Sequence, residues 1–415
     1  MNLLIVNHHA GSRIHGMVYR HYYFAREWVR MGHSVTIVAA SFSHVRSRSP
    51  EVRRAVTEEE IDGIRYVWLK TPGYKGSSVR RMLNMMAFVS QLTMNGPRLV
   101  NRHKPDVIVS SSTYHLDIFT AWWLARKCRA RLVFEVRDMW PLTPITLGDM
   151  SPRNPIIMAV QAAEDFGYQR AQNVVSALPF ASEYMQSRGM SPDKFCYVPN
   201  GIDPEEFQKD RDELPALHED TFGKLRDEAR FIVGFTGAHG LAHDLDTMLD
   251  AAEKLRDEPI CFALVGRGSQ KKRLQEAAER RRLPNVVFLP HVPKTSVPSL
   301  LNAMDVLYIG LKQQPMFRFG VSPHKLLDYM MAAKPVIHAI DTPGDMVSEA
   351  RCGVSILPGS PDQLREAIRS LARLSHEELV EMGERGRAYV IANHDYRVLA
   401  ERFLRCLDCY GGSQG

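Results

Sequence analysis

Residues 322–337 of this 415-residue chain read SPHKLLDYMMAAKPVI. Pro323 suits the first turn of a helix, which must end before Pro335, and an apolar strand follows at once. The amino end of a helix carries exposed amides and partial positive charge, and with Lys325 beside it the segment can hold a phosphate group. Asp328, one turn further on, can accept hydrogen bonds from sugar hydroxyls. The pattern favours a nucleotide-sugar site, and the alternative is an ordinary βα unit.

Apolar strand-like runs alternate with helical segments along the whole chain, in two series separated by a charged stretch at residues 208–230. The first series comprises residues 3–6, 35–40, 107–110, 132–136 and 174–177; the second comprises residues 231–235, 261–265, 286–289, 306–309, 336–340 and 354–357. A chain of this length is too long for one core, so we predict an α/β protein with two doubly wound parallel sheets. Ligands of such sheets bind at the carboxyl ends of the strands, and the cleft between the two domains is the expected site.

Glycine-rich loops follow the first strand of each series. AGSRIHG, residues 10–16, precedes the first helix, and Gly16 is our candidate there for close approach of a ligand to the backbone. The same arrangement returns in GFTGAHG, residues 234–240, with the candidates Gly237, His239 and Gly240. Neither loop has the spacing of a P-loop or of GxGxxG, so ATP and dinucleotides are not favoured. A surface loop without a ligand is the alternative for residues 10–16.

The segment PNGID, residues 199–203, together with residues 322–337, resembles the retaining glycosyltransferases of family 4, which have the GT-B fold. The resemblance extends over nearly the whole chain, and residues 7–46 are similar to the WbuB-type branch, which builds O-antigen and capsule sugars. It implies an acceptor-side domain at residues 1–195, completed by a terminal helix at 392–415 that crosses back to it. Residues 196–391 would form the domain that binds the nucleotide-sugar.

The resemblance also implies donor-site residues, with two departures from the family pattern. The second of two family glutamates falls on Asp328, but the first falls near Gly320. The places of an arginine and a lysine that bind the donor diphosphate hold Ala238 and roughly His243-Asp244. We therefore expect other cations to bind the diphosphate, and Lys325 and Arg318 are predicted to be catalytic because they would stabilise the charge that develops on it as it leaves. The further candidate donor-site residues are Arg267, Ser322, Pro323, His324 and Leu326.

Asp138 is the predicted catalytic carboxylate. It follows the strand at residues 132–136 and matches the aspartate of a family His-Asp pair, although Arg137 replaces the histidine. At a strand end a carboxylate can reach an acceptor hydroxyl or the donor sugar. The alternative is that an aspartate before Trp140-Pro141 only caps a turn.

We expect no metal and no cofactor apart from a UDP-sugar substrate. Asp244-Leu245-Asp246 matches the DxD signature of metal-dependent glycosyltransferases, but acidic residues are also common at helix starts. The six cysteines are scattered and fit reduced, buried thiols. Cys406 and Cys409 form a lone CxxC, which does not favour zinc or redox chemistry.

The chain is expected to work in the cytoplasm as a peripheral protein at the inner face of the plasma membrane. It has no apolar run of spanning length, and its net charge of +6 fits diphosphates and anionic lipid better than nucleic acid. Residues 79–100 would form a helix on which Met82, Leu83, Met86 and Phe88 face outward beside Arg80 and Arg81, and residues 142–158 are a second candidate contact. The alternative for residues 79–100 is an ordinary core helix.

The predicted function is transfer of an N-acetylated hexosamine or deoxyhexosamine from a UDP-linked donor to a lipid-linked saccharide acceptor, with retained anomeric configuration. Such a step belongs to surface polysaccharide biosynthesis. One alternative is a nucleotide-sugar epimerase of the same fold. A second is a non-catalytic subunit that binds nucleotide-sugars for a partner enzyme.

Overall fold

A computed structural model describes residues 1–16, 19–76, 79–146, 148 and 150–408. The chain divides into two compact units. Unit 1 comprises residues 1–200 and the segment from Tyr396 onward, and unit 2 comprises Gly201–Asp395. The divisions that we placed at 195/196 and 391/392 lie a few residues earlier along the chain.

Unit 1 is built on a sheet to which the described residues contribute eight strands, in the order β3-β4-β2-β1-β5-β6-β7-β8. The strands are β1 Asn2–Val6, β2 Ser34–Ala40, β3 Val56–Ile61, β4 Ile64–Leu69, β5 Val107–Ser110, β6 Arg131–Val136, β7 Asn173–Ser176 and β8 Phe195–Tyr197. Every neighbouring pair is parallel except β3 and β4. The inner strands are mostly apolar because helices cover both faces of a parallel sheet.

The β3–β4 hairpin is absent from the sequence prediction. Three consecutive glutamates in β3 hide the apolar alternation, since this edge strand is only partly buried. A local signal does exist, because Asp62-Gly63 joins the strands with both residues at positive φ, +53° and +75°. An Asp-Gly pair in that conformation is a preferred two-residue hairpin turn.

Helices fill the connections between the strands of unit 1. They are α1 Arg20–Arg30, α2 Val79–His103, α3 Ile118–Cys128, α4 Leu142–Thr146, α5 Pro155–Arg170 and α6 Ser182–Ser187. α1 buries Tyr22, Phe24 and Trp28 against the sheet. α2 packs on α3, and α3 packs on α5, so these three helices are neighbours.

Unit 2 contains, among the described residues, a six-stranded parallel sheet in the order β11-β10-β9-β12-β13-β14. Its strands are β9 Phe231–Ala238, β10 Ile260–Arg267, β11 Val286–Leu289, β12 Val306–Gly310, β13 Val336–Ala339 and β14 Gly353–Ser355. Its helices are α7 Pro204–Lys209, α8 Ala216–Asp227, α9 Leu245–Lys254, α10 Lys271–Arg280, α11 Val297–Asn302, α12 His324–Met331, α13 Met346–Ala350, α14 Pro361–Ala372 and α15 His376–His394. Two apolar clusters cover the two faces of this sheet.

Helix α12 has the limits that its two prolines predict, with one adjustment. Pro323 is the residue before the first helical position, in an extended conformation, instead of a residue of the first turn. At the other end the helix stops at Met331, and Ala333 has φ +52° before Pro335. A proline cannot continue the helix, because it lacks the amide hydrogen and disfavours helical geometry at the preceding residue.

The last helix, α16 Tyr396–Asp408, returns to unit 1, which confirms the predicted crossover. It packs along α1, where Phe403 and Tyr396 contact the rings of Phe24, and Trp28 Nε1 donates to the carbonyl of Ala400 at 3.1 Å. Buried aromatic contacts of this kind are the main stabilisation that such a helix offers.

One expectation about the cysteines is wrong. Cys196 in β8 and Cys406 in α16 form a disulfide with a Cα–Cα distance of 6.2 Å, because the returning helix lies over the end of the sheet. Cys261 and Cys352 are buried free thiols, as expected, and Cys128 is a half-buried one. Cys409, the other member of the CxxC, lies outside the described residues.

Candidate functional site

Lys325 occupies the carboxyl edge of the unit 2 sheet, where α12 begins. Its Nζ lies 3.9 Å from the centre of the Phe235 ring. The end of its side chain also packs on Gly237, since a β-carbon at that glycine would lie 3.1 Å from Lys325 Cε. Nζ is buried and has no hydrogen-bond partner in the part of the chain that the structure describes. A buried ammonium group without an acceptor is costly, so Nζ is a candidate contact for an anionic ligand.

Burial lowers the pKa of Lys325 from its ordinary value to about 7, and the nearby charge of Asp328 offsets part of this effect. Asp328 is half-buried on the next turn of α12. Burial raises the pKa of its carboxyl group to about 6, against the opposing charges of Lys294 and Lys325. Both pKa values therefore lie close to neutral pH. A bound phosphate would favour the charged form of Lys325.

Two histidines lie beside Lys325. The His239 ring is fully buried, lies 5.8 Å from the Phe235 ring, and neither of its nitrogens has a partner among the described residues. His243 Nδ1 is likewise buried without a partner in this part of the structure. Burial lowers the pKa of each ring to about 4, helped by the charges of Lys271 and Lys325 for His239 and by that of Lys325 for His243. Both rings are thus neutral at pH 7, and each has one N–H to donate.

Glycines let the strand ends and loops approach each other at this edge. A β-carbon on Gly266, at the end of β10, would lie 1.9 Å from the carbonyl oxygen of Gly237. A β-carbon on Gly268 would lie 2.4 Å from the carbonyl oxygen of His239. Only glycine fits at these two positions, so Gly266 and Gly268 allow the end of β10 to pack directly on the backbone of Gly237 and His239.

The other predicted donor-site residues surround this edge with different exposure. Gly240 lies next to His243 and opens the turn before α9, and Leu326 is buried in the core. Arg267 is exposed at the end of β10, and Arg318 is exposed with its guanidinium 4.8 Å from the Phe319 ring centre. Ser322, Pro323 and His324 form the entry to α12, and the first two are half-buried. The structure brings Lys325 close to three other predicted residues, which are Gly237, His239 and Asp328.

In unit 1, Gly16 has φ +63° and packs directly on Ser47. A β-carbon at this glycine would lie only 1.9 Å from Ser47 Oγ. The close approach that this glycine allows is therefore to the chain itself. Asp138 is exposed directly after β6. The position matches a strand end at the carboxyl edge, and its catalytic role stays a prediction.

Sequence reasoning missed Glu135, three residues before Asp138. Its buried carboxylate accepts from Arg20 Nε at 3.0 Å, lies 2.7 Å from His21 Nε2, and also accepts from the hydroxyl of Ser111. Burial raises the pKa of Glu135, but the charges of Arg20 and His21 outweigh burial and hold it well below its ordinary value. His21 and Ser111, which complete this cluster, come from elements that are distant in sequence, so no local motif indicates it.

Arg20 also holds the segment that leads out of unit 1. Its guanidinium donates to the carbonyl oxygen of Val198 at 2.8 Å, to that of Pro199, and to Asn200 Oδ1 at 3.3 Å. The ion pair with Glu135 fixes the guanidinium from the opposite side. The Pro199-Asn200 part of PNGID is thereby anchored to the core of unit 1.

Both carboxylates of the DxD motif are used within the protein. Asp244 accepts from Thr247 Oγ1 at 2.8 Å and from the amide of Gly359 at 2.9 Å. Asp246 forms two hydrogen bonds of 2.7 Å with Arg273. In the described ranges no group of three or more histidine, cysteine, aspartate or glutamate side chains could hold a metal ion.

We expect removal of divalent metal to leave activity unchanged, because both DxD carboxylates have partners and Lys325 can take the diphosphate charge. The measurement is transferase activity with EDTA and after readdition of Mn²⁺. An Asp246→Asn variant serves as the control, since it should lose only an exposed ion pair. Activity that EDTA abolishes and Mn²⁺ restores would contradict this expectation.

Helix α2 presents a narrower apolar surface than expected. Met82, Leu83 and Met86 are exposed by 42%, 55% and 48% of their area. Phe88 does not face outward: it is fully buried with its ring 4.9 Å from the His8 ring, because it lies on the side of α2 that packs on the sheet. Ile156 and Met158, in the second candidate segment, are exposed, whereas residues 147 and 149 lie outside the described part. Within the described residues, no helix is both long and apolar enough to span a bilayer.

Comparison with known proteins assigns both halves of the chain. The model of the glycosyl transferase 4-like domain matches residues 15–201, and that of the glycosyl transferases group 1 matches residues 218–389. Over 287 residues the chain is 26% identical to the putative colanic acid biosynthesis glycosyl transferase WcaI of Escherichia coli K12, which covers 67% of this chain and 69% of WcaI.

Solved structures of similar fold align over almost the full length. Anabaena HepE in complex with UDP and glucose has a TM-score of 0.66 at 14% identity, covering 98% of this chain and 100% of HepE. Sucrose-phosphate synthase from Thermosynechococcus elongatus has a TM-score of 0.70 at 14% identity, covering 99% of each chain. With two doubly wound units, a returning terminal helix and both domain models matched, the chain belongs to the family 4 glycosyltransferases of GT-B fold.

Proposed function

We propose that this glycosyltransferase uses a UDP-sugar, with an N-acetylated hexosamine or deoxyhexosamine, and glycosylates a lipid-linked saccharide in surface polysaccharide synthesis. The observation that carries the donor assignment is the buried, unpartnered Nζ of Lys325 among the described residues at the carboxyl edge of unit 2. The sugar class rests on the similarity of residues 7–46 to the WbuB-type branch. The role in surface polysaccharide draws support from the match to WcaI, whose name refers to colanic acid.

In the proposed donor complex the diphosphate contacts Lys325 Nζ and the neutral rings of His239 and His243. These donors stand in for the arginine and lysine that the family places at Ala238 and near His243. Asp328, one turn along α12, accepts from hydroxyl groups of the donor. Arg267 and Arg318 are exposed and long enough to add charge at the rim.

The proposed reaction retains the anomeric configuration. The bond between the anomeric carbon and the β-phosphate oxygen breaks, and its electron pair stays on that oxygen. The acceptor hydroxyl oxygen bonds to the anomeric carbon on the same face, and its proton passes to the departing phosphate oxygen. Lys325 stabilises the charge that develops on the diphosphate, which is an interaction stronger in the transition state than in the ground state. Asp138 is the proposed carboxylate that orients the acceptor or supports the positive charge of the sugar.

A lipid-linked acceptor requires the protein to reach a membrane surface, and α2 is the proposed contact. Met82, Leu83 and Met86 project from one end of the helix beside Arg80, and α2 contains no acidic residue. An exposed apolar patch flanked by arginines suits shallow insertion into an anionic leaflet.

We expect Leu83→Glu to release the protein from liposomes that contain phosphatidylglycerol, since a carboxylate would replace an apolar contact and repel the anionic surface. Each arginine near that surface adds roughly 1 kcal/mol of attraction, so wild-type binding should weaken at high salt. Flotation assays measure both effects. Leu217→Glu, at an equally exposed site on α8 in unit 2, is the matched control. If wild type does not float, or Leu83→Glu floats equally well, α2 is not the contact.

Incubation with a panel of UDP-sugars, with and without a lipid-linked acceptor, tests the function against its two alternatives. Transfer yields UDP and a glycosylated lipid only when acceptor is present. An epimerase converts the sugar without acceptor, and a non-catalytic subunit binds the nucleotide-sugar and leaves it unchanged. Either of the last two results would refute the proposed transfer.

A further inference from the structure

Histidines line the carboxyl edge of the unit 1 sheet. His8 and His9 follow β1 and are buried, with ring centres 4.4 Å apart, and His44 follows β2 and is exposed, 5.7 Å from His9. His9 Nδ1 lies 2.8 Å from Ser43 Oγ, and His44 Nδ1 lies 2.7 Å from the Tyr74 hydroxyl. Hydroxyl partners thus fix the ring orientations and leave Nε2 of His9 and His44 for another partner.

Two arginines lie beside these rings, and the carboxylates of Glu135 and Asp138 act electrostatically on one of them, Arg137. Arg81, in the first turn of α2, and Arg137, directly after β6, are half-buried, and neither forms an ion pair or hydrogen bond with other described residues. Arg46, a buried arginine of the same unit, by contrast donates to the carbonyl oxygen of Ala10 at 2.9 Å and to that of Ala40. Arg81 and Arg137 are therefore available to a ligand.

The charged and titratable groups that act on His9 are all basic. Burial lowers the pKa of His9 well below its ordinary value, and His8, His44, Arg137 and Arg81 lower it further. The same arginine, Arg81, also lowers the pKa of His8 and His44.

The carboxylates of Glu135 and Asp138 offset part of the charge of Arg137. Glu135 is paired with Arg20 and His21. Asp117 accepts from Ser112, and burial raises its pKa to about 7. Asp138 lies exposed next to Arg137. An edge with this balance of charge favours an anion.

We propose that His9, His44, Arg81 and Arg137, the acceptor-anion cluster, bind the diphosphate of a polyprenyl-diphosphate-linked saccharide. The apolar surface next to this cluster favours a lipid-linked diphosphate over a free phosphate. Met82, Leu83 and Met86 follow Arg81 on the same helix and are exposed, so an anionic head at Arg81 and an apolar chain along α2 fit one molecule. The inference rests on the proposed function and names the residues that would bind its acceptor.

Farnesyl diphosphate is a soluble probe of this cluster. Inorganic pyrophosphate, which has only the anionic group, and farnesol, which has only the apolar chain, are the two control ligands. Calorimetric titration of the full chain should show farnesyl diphosphate binding at least about tenfold more tightly than pyrophosphate, because only the former covers apolar surface. Farnesol alone should bind too weakly to measure. Equal affinity for pyrophosphate and farnesyl diphosphate would overturn the proposal in favour of a plain anion site.

Arg81→Gln and His44→Gln should each weaken farnesyl diphosphate binding, by about tenfold for the arginine, since a charge-assisted contact is lost. Arg98→Gln, an exposed arginine on the same helix, is the matched control and should bind as wild type does. All three positions are at least partly exposed, and unchanged melting temperatures would verify folding. Wild-type affinity in both variants would overturn the proposal.

UDP titrated into the same proteins separates this inference from the proposed function. UDP affinity should be unaffected by Arg81→Gln, because Lys325 belongs to the other unit. If UDP does not bind to wild type while farnesyl diphosphate does, the donor assignment fails and the acceptor-anion cluster stands. If farnesyl diphosphate does not bind while UDP does, the cluster fails and the donor assignment stands.

Discussion

Lys325→Met is expected to weaken UDP binding by roughly thirtyfold to a hundredfold, which corresponds to about 2–3 kcal/mol for one charge-assisted contact in a water-poor site. Methionine keeps a flexible apolar side chain over the Phe235 ring and removes only the charge. The measurement is calorimetric titration of UDP. Lys272→Met, an exposed lysine on α10, is the matched control and should bind as wild type does.

We expect UDP binding to depend on pH because of the titration of Lys325. Its pKa in the free protein is about 7, and the protonated form is the one that attracts a diphosphate. Above pH 7 the free protein loses this proton, so binding must take one up and affinity should fall by up to about tenfold per pH unit. Lys325→Arg should flatten the profile, because a guanidinium stays charged throughout this range. Wild-type affinity and pH profile in Lys325→Met would place the donor elsewhere.

Glu135→Gln is expected to destabilise the protein by about 3–5 kcal/mol, since it leaves the buried guanidinium of Arg20 without its counter-charge. Chemical unfolding followed by circular dichroism measures this loss. Glu58→Gln, which removes an ion pair on the surface between β3 and α2, should change stability by less than about 1 kcal/mol. A loss in Glu135→Gln no larger than in Glu58→Gln would show that the buried pair contributes little.

The sign of the pH effect follows from the depressed pKa of Glu135. A carboxyl group that is more acidic in the folded than in the unfolded protein adds stability above its unfolded pKa, which is about 4.3 for glutamate. That stability disappears as the pH falls through the folded value. Wild type should therefore lose more stability than Glu135→Gln does on strong acidification, and parallel acid profiles would argue against the proposed pairing.

The strands of both sheets could be predicted because buried parallel strands are mostly apolar. The exceptions have physical reasons. β3 is a partly exposed edge strand whose glutamates conceal it, and β4 was missed together with this hairpin partner although it is almost fully buried. β8 is only three residues long. Burial of Phe88 could not be predicted either, because α2 has apolar residues on more than one side and only packing decides which side meets the sheet.

The candidate donor site was partly predictable because Lys325 and Asp328 lie in one short segment, and a helix start has a recognisable local pattern. Glu135 and His9 could not be assigned in this way. Their partners, Arg20 and Ser43 among them, are far away in sequence and meet only when parallel strands align their carboxyl ends. The charge balance of such an edge is a property of the fold and is not visible in any one motif.

A crystal structure of the full chain with UDP tests the central claim most directly. We expect the diphosphate within hydrogen-bond distance of Lys325 Nζ, with His239 or His243 as a second contact and Asp328 facing a hydroxyl group. UDP bound away from the carboxyl edge of the unit 2 sheet, or bound there without a contact to Lys325, would contradict the account.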